Sequence, residues 1–275
     1  MQNLSHFPVD VRLSEYILSY GSIAFNEPES TQVITSPNGL TGFLIRTSHS
    51  DDFEISPTDF EGNPIAHQPY YVIGQTTFPI LGQVKGQAKY LVVFFQPLGL
   101  YQLFGGNISH LTNKSKHLSD FLGKEIFEIF LQNIISTKDI DFQIEILNKF
   151  FLNRIRAYDN YTVINNALNF IFETKGNISV SELSRNCKVN RRMLERQFKS
   201  KIGVSPKIYA QIYRFKFMMN YLTQNPNTSW ADLSEIVGYY DQSHLIRYFK
   251  EYLQISPNNL VTLDIEFINF ILRCN

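Results

Sequence analysis

The sequence predicts an α+β protein. An antiparallel β barrel or sandwich with accompanying helices comes first, and an all-α region of two helix-turn-helix units joined by a linker helix follows. Three observations predict this. Short apolar or alternating runs between turn residues fill the front of the chain, a 3.6-residue period takes over near residue 118, and a segment near residue 179 returns near residue 229. With 275 residues the chain is long enough for about two domains. Its 44% apolar content suffices for ordinary cores.

In chain order, the β signal runs from Gln32 to about Leu103. Strand-like runs are Val33-Ile34-Thr35, residues 40–47, Tyr70–Ile73 and residues 90–96. Ser36-Pro37-Asn38-Gly39, Glu61-Gly62-Asn63-Pro64 and residues 82–86 read as the turns between them. A helical stripe follows through Phe121, Leu122, Ile126, Ile129, Phe130, Asn133 and Ile134. Thr137-Lys138-Asp139 separates it from a second stripe through Ile140, Ile144, Leu147, Phe151 and Ile155. Everything after Tyr158-Asp159-Asn160 keeps a helical pattern. These Phe-rich stripes need cover, from the β domain or from a second copy of the chain.

The repeat sets the architecture of the back. Ser179, Glu182, Leu183 and Ser184 recur as Ser229, Asp232, Leu233 and Ser234 at an offset of 50. One extra residue, Tyr240, changes the offset to 51, and Leu194, Arg196, Phe198 and Lys199 then recur as Leu245, Arg247, Phe249 and Lys250. Each unit opens on Ser-x-x-acid, the spacing that caps a helix start by exchanging side-chain and backbone bonds. A short turn follows, through Lys188-Val189 in one unit and Gly238-Tyr239-Tyr240 in the other. Asn190 and Asp241 then cap second helices over residues 190–201 and 241–253. Leu194 with Phe198, and Leu245 with Phe249, make i, i+4 core pairs. The opposite faces carry Arg191, Arg192, Glu195, Arg196 and Lys199 in one helix, and Gln242, Ser243, Ile246, Arg247 and Lys250 in the other. Residues 208–222 form the spacer, which holds Arg214 and Lys216.

Charge is segregated along the chain. It carries 25 basic and 25 acidic side chains. Residues 1–160 have a net charge of −5 and residues 161–263 a net charge of +6. A basic back with an acidic front suggests a nucleic-acid partner for the back. The zero total excludes a uniformly basic coat.

Residues 161–263 resemble the DNA-binding domain of the AraC/XylS family of bacterial transcription regulators. The likeness rests on Ser181-Glu182-Leu183-Ser184, Leu194-Glu195-Arg196-Gln197-Phe198-Lys199, Gly203-Val204-Ser205-Pro206, Ile236-Val237-Gly238-Tyr239, Ser243-His244-Leu245-Ile246-Arg247-Tyr248-Phe249-Lys250 and Ser256-Pro257. Lys188 stands where a turn glycine is common, Gln254 replaces a usual glycine, and Tyr239 and Leu245 stand where Phe is frequent. Tyr71-Val72-Ile73-Gly74-Gln75-Thr76 and Val92-Val93-Phe94-Phe95-Gln96-Pro97 resemble the cupin-like sensor domain of one subgroup of that family.

The resemblance implies a regulator whose two recognition helices enter successive major grooves, with centres about 34 Å apart. It divides the chain into a β-rich effector-sensing domain (1–115), a helical dimerisation or linker segment (116–159), the DNA-binding domain (160–263) and a C-terminal extension (264–275). By motif position, Arg192, Glu195, Arg196, Gln242, Ser243, Ile246 and Arg247 read bases. Arg suits guanine, Glu suits cytosine N4, Gln suits adenine, and Ile suits the thymine methyl. Arg191, Lys199, Arg214, Lys216 and Lys250 are expected on phosphate, which gives affinity without sequence choice. Phe43, Arg46, Tyr71 and Phe94 are the candidate effector contacts. A homodimer through residues 121–135 and 140–156 is expected, and RNA polymerase is a further partner the resemblance allows. The alternative is a non-enzymatic sensor or adaptor whose helical repeat binds protein rather than DNA.

Other chemistry finds no support in the sequence. No pair among His6, His49, His67, His110, His117 and His244 has the His-x-His spacing of a cupin metal site. Cys187 and Cys274 are the only cysteines, so neither a disulfide framework nor a four-Cys zinc site is expected. Phosphate-binding glycine loops and the Gly-x-Ser-x-Gly elbow are absent from the sequence. No cofactor and no catalysis are expected. With no signal-like start and no run of 18 apolar residues, the expected location is cytoplasmic.

Overall fold

The computed structural model describes residues 3–59, 61–65, 67–155 and 161–253. Seven strands build one antiparallel sheet: β1 (Asn3–Phe7), β2 (Ile17–Thr35), β3 (Thr41–His49), β4 (Glu54–Thr58), β5 (Tyr70–Ile73), β6 (Ile80–Phe95) and β7 (Ser115–His117). Their order is β1-β2-β6-β3-β5-β7, and β4 also pairs with β6. The 16-residue β6 is the spine of the sheet. Its first half pairs with β4 and the end of β2, and its second half pairs with β3 and the start of β2.

Alternation along β6 splits its side chains between two cores, because successive strand residues face opposite ways. Leu91, Val93 and Phe95 join Phe43 and Ile45 beneath the helices α1 (Gly99–Phe104), α2 (Leu118–Leu122), α3 (Lys124–Ile135) and α4 (Ile140–Leu152). Tyr90, Val92 and Phe94 join Ile23, Phe25 and Val84 on the other face. That second face wraps around a cavity.

The structure corrects parts of the sequence reading. The β domain begins at β1, well before Gln32. Residues 82–86 are not a turn. They lie within β6, where the bare Cα of Gly82 lets Val33 pack directly over it. The antiparallel β fold expected at the front is present as one seven-stranded sheet, in which β1 and β7 do not pair among the described residues. The stripe from Phe121 is broken at Gly123 (φ +89°) into α2 and α3.

The back half contains α5 (Thr162–Glu173), α6 (Val180–Asn186), α7 (Arg191–Lys201), α8 (Pro206–Gln224), α9 (Trp230–Ile236) and α10 (Gln242–Leu253). Helices α5–α7 and the start of α8 share one core, and the rest of α8 with α9 and α10 shares another. Ile208 touches both. The expectations at residues 156–160, Ser256-Pro257 and 264–275 lie outside the described residues.

Candidate nucleic-acid interface and effector cavity

The first helix-turn-helix unit forms as its caps require. Glu182 N–H donates to Ser179 Oγ at 3.2 Å while Ser179 N–H donates to Glu182 Oε2 at 2.9 Å, a complete capping box. The bond to Ser179 also holds the Glu182 carboxyl below its ordinary pKa. The turn passes through Lys188, whose φ is +54°. Asn190 Oδ1 then accepts from Met193 N–H at 2.8 Å and starts α7. Leu194 and Phe198 are fully buried. Arg191, Arg192, Arg196 and Lys199 are exposed on the far side. Glu195 is half-buried, and its Oε1 lies 2.8 Å from Arg191 Nε.

The second unit repeats this plan. Asp232 N–H donates to Ser229 Oγ at 3.1 Å. Gly238 takes φ +74° at the position of Lys188, and His244 N–H donates to Asp241 Oδ1 at 2.7 Å. Leu245, Tyr248 and Phe249 are buried, whereas Gln242, Ser243, Arg247 and Lys250 are exposed and Ile246 is half-buried. Both second helices thus bury one stripe and present a polar, arginine-bearing stripe to solvent.

Two residues expected on phosphate sit elsewhere. Arg214 Nε donates to Val237 O at 2.8 Å, its second guanidinium nitrogen donates to Gly238 O, and the guanidinium lies 3.7 Å from the centre of the Tyr239 ring. It ties α8 to the carbonyls that end α9, where a cation is favoured by the helix dipole. Lys216 is 4% exposed and lines a recess between the two halves with Leu18, Gln96 and Tyr213. On a 19-residue helix packed on both sides, a charged side chain need not face solvent. The helical period places these residues on α8 but does not say what meets them.

The second face of the sheet lines a partly open cavity of about 180 Å³. Its body is apolar, with Ile23, Val33, Leu44, Ile55, Ile80 and Val92 among its walls. Thr35, Asn38, Thr76, Asn113, Lys114 and Ser115 add polar groups. Of the four candidate effector contacts, Tyr71 and Phe94 line this cavity. Phe43 does not. It is fully buried on the opposite face, against Phe95, Phe104 and Phe121. Arg46 is not in the lining either. Its guanidinium sits 5.8 Å from the Phe53 ring centre, and its Nε is buried without a hydrogen-bond partner.

Sequence reasoning missed His67, which lines the cavity 3.2 Å (Nε2) from Tyr90 Oη and edge-on to Tyr71. Burial, helped by the nearby Arg46, lowers the His67 pKa to about 4 and leaves the ring neutral. Burial also pushes the Tyr90 hydroxyl up to about 12 and Tyr71 higher still. A lone histidine in a loop carries no sequence signal of this placement. His49 is exposed and bonds to Ser50 O. Among the described residues no group of three His, Cys, Asp or Glu side chains could hold a metal ion. None of the described helices is long and apolar enough to cross a membrane.

The two helical stripes of the front half are covered on one side only. Phe127, Phe130, Ile134, Ile144, Leu147 and Phe151 join the sheet core. Ile126, Ile129, Ile135, Phe142 and Ile155 remain exposed, and Ile126 and Ile129 edge a groove that reaches Phe150 on α4.

Residues 183–262 match the family described as a helix-turn-helix domain. Residues 5–117 match a family described as a domain of unknown function, DUF6597. No curated protein matches the chain. Among solved structures, ToxT from Vibrio cholerae is similar at 11% identity and a TM-score of 0.47, over 89% of this chain and 98% of that one. A structure of ToxT from Vibrio cholerae strain SCE256 with an unsaturated fatty acid bound is similar at 12% identity and a TM-score of 0.49, over 89% and 95%. The AraC-like transcriptional activator CuxR is 14% identical with a TM-score of 0.24, over 80% and 86%.

Proposed function

With a helix-turn-helix domain of the AraC/XylS type at its C-terminal end, we propose that this DNA-binding transcription regulator recognises a specific sequence by laying α7 and α10 into successive major grooves. One observation carries the reading: two capped, duplicated helices each bury a Leu/Phe stripe and turn Arg192 and Arg196, or Gln242 and Arg247, to solvent. Arg192, Arg196, Gln242, Ser243, Ile246 and Arg247 are the base readers. Glu195 is one too, once it leaves Arg191. Arg191, Lys199 and Lys250 hold phosphates. Arg214 and Lys216 leave that set, because they are engaged inside the protein.

The cavity holds a small, largely apolar effector against Tyr71 and Phe94, and two copies join through the exposed faces of α3 and α4. Two linked readers bind a double site far more tightly than one. RNA polymerase is the partner expected at the promoter.

Selection of duplexes from a random pool by the full chain tests the regulator reading. A recovered motif with two half-sites about one helical turn apart is expected. Arg196→Ala should cost about 1–3 kcal/mol and relax preference at one base position. Lys199→Ala should weaken all sequences alike and lower the salt slope by about 1. If the pool yields no enriched motif, or if Arg196→Ala weakens all sequences equally, base reading by α7 is wrong. A pool that yields no enriched motif would favour the adaptor alternative.

A further inference from the structure

A small polar cluster lies between the cavity and the first recognition helix. Gln75 is fully buried and donates from Nε2 to Gly39 O at 2.9 Å, while its Oε1 is buried with no hydrogen-bond partner. Its carbonyl accepts from Asn113 N–H at 2.8 Å. Asn113 is held at φ +57°, and its Oδ1 accepts from Thr77 N–H at 2.8 Å. The adjacent Thr112 crosses to the DNA-binding half, where its Oγ1 donates to Gly203 O at 2.6 Å.

Gly203 ends α7. Ile202 and Gly203 both donate to Phe198 O, at 2.8 and 3.2 Å, and Gly203 has φ +104°. A Cβ at Gly203 would lie 3.2 Å from Thr112 Oγ1 and 3.4 Å from Gln75 Cγ. The closing residue of the recognition helix therefore rests in a seat made by Gln75 and Thr112. The backs of the same segments, Thr76, Asn113 and Lys114, line the cavity. Gly39, bonded to Gln75, meets Tyr209 and Ile212 of α8.

We propose that this seat couples the cavity to the DNA-binding half: the wall formed by Gln75–Thr77 and Thr112–Lys114 sets the pose of α7, so an occupant of the cavity and a duplex on α7 influence each other. The proposal rests on the regulator reading above. Asparagine tolerates the left-handed backbone, and the bond from Thr77 N–H to Asn113 Oδ1 joins the two segments of the wall. Members of a buried polar network polarise and position one another, so a shift at one of them changes the bonds of the others. Linkage makes such coupling reciprocal.

Amide hydrogen exchange on the full chain tests it through that reciprocity, with no need to know the effector. Asn113→Gly keeps the positive φ and removes the side chain that holds Thr77. It should speed exchange at the Ile202 and Gly203 amides, which Asn113 does not bond, by about fivefold, the loss of one net hydrogen bond. Thr112→Val should do the same at the Thr77 amide, and Thr112→Ser, which keeps the hydroxyl, should match the parent. Binding of a pool-selected duplex to the parent chain should slow exchange at Thr77. Effects confined to the substituted side, a rise spread uniformly over both halves, or no response of Thr77 to the duplex would each overturn the coupling. The variant measurements need no DNA, so a chain that selects no motif fails the regulator reading separately.

Discussion

Arg214 carries a positive charge on a helix of a DNA-binding domain, yet its guanidinium is engaged by Val237 O, Gly238 O and the Tyr239 ring. Arg214→Met should therefore lower stability by about 2 kcal/mol, within the range for hydrogen bonds to a charged group. The salt dependence of DNA binding by the folded fraction should keep its slope. Urea melts and a salt titration check the two halves of this prediction, and a lowered slope with intact stability would return Arg214 to the phosphate. His67 gives a pH test. Its folded pKa is about 4 against an ordinary 6.5, so between these values the unfolded chain binds more protons. Stability contributed by the neutral ring is present above pH 6.5 and declines as pH falls toward 4. His67→Gln should flatten that part of a stability-against-pH curve.

At the scale of elements, the two helix-turn-helix units differ most at the turn. Lys188 and Gly238 share a left-handed backbone, at φ +54° and +74°. A side chain there costs about 1–2 kcal/mol, partly offset by the greater unfolded freedom of glycine. Lys188→Gly should raise stability by roughly 0.5 kcal/mol, read from the urea midpoint. Gly238→Ala should cost more, because a Cβ would also come 2.6 Å from Asn177 Nδ2. Helix caps and i, i+4 pairs act within four residues, so the helices α6, α7, α9 and α10 were legible from sequence, as was the exposed face of α7. Strand facing was harder to read. Phe43 and Phe94 both sit in continuous apolar runs, which carry no alternation to read, and only the register Phe43↔Val93 shows that they face opposite ways. The length of β6 was hidden because Gly82 and Gly86 look like turn residues, and the partners that keep them in the sheet come from β2 and β4. Arg214, Lys216 and His67 acquire their roles only from distant neighbours.

For the whole molecule, the exposed faces of α3 and α4 set a test of assembly. Ile129 is 57% exposed, so replacing it leaves the core of its own chain intact. Ile129→Asp should turn a sedimenting dimer into a monomer and weaken binding to a duplicated operator more than to a single site. A variant that remains dimeric would move the interface elsewhere. The helix α8 contributes to both helical cores and is tied to the second unit by Arg214. The two helices proposed to read bases are thus spliced to one rod, and on that reading their angular phase is fixed by the protein. On the duplex, one base pair inserted between the half-sites rotates the farther one by roughly 35° and shifts it by about 3.4 Å. The protein can follow only by twisting the DNA back, so the spacer of its operator should tolerate altered letters far better than altered length.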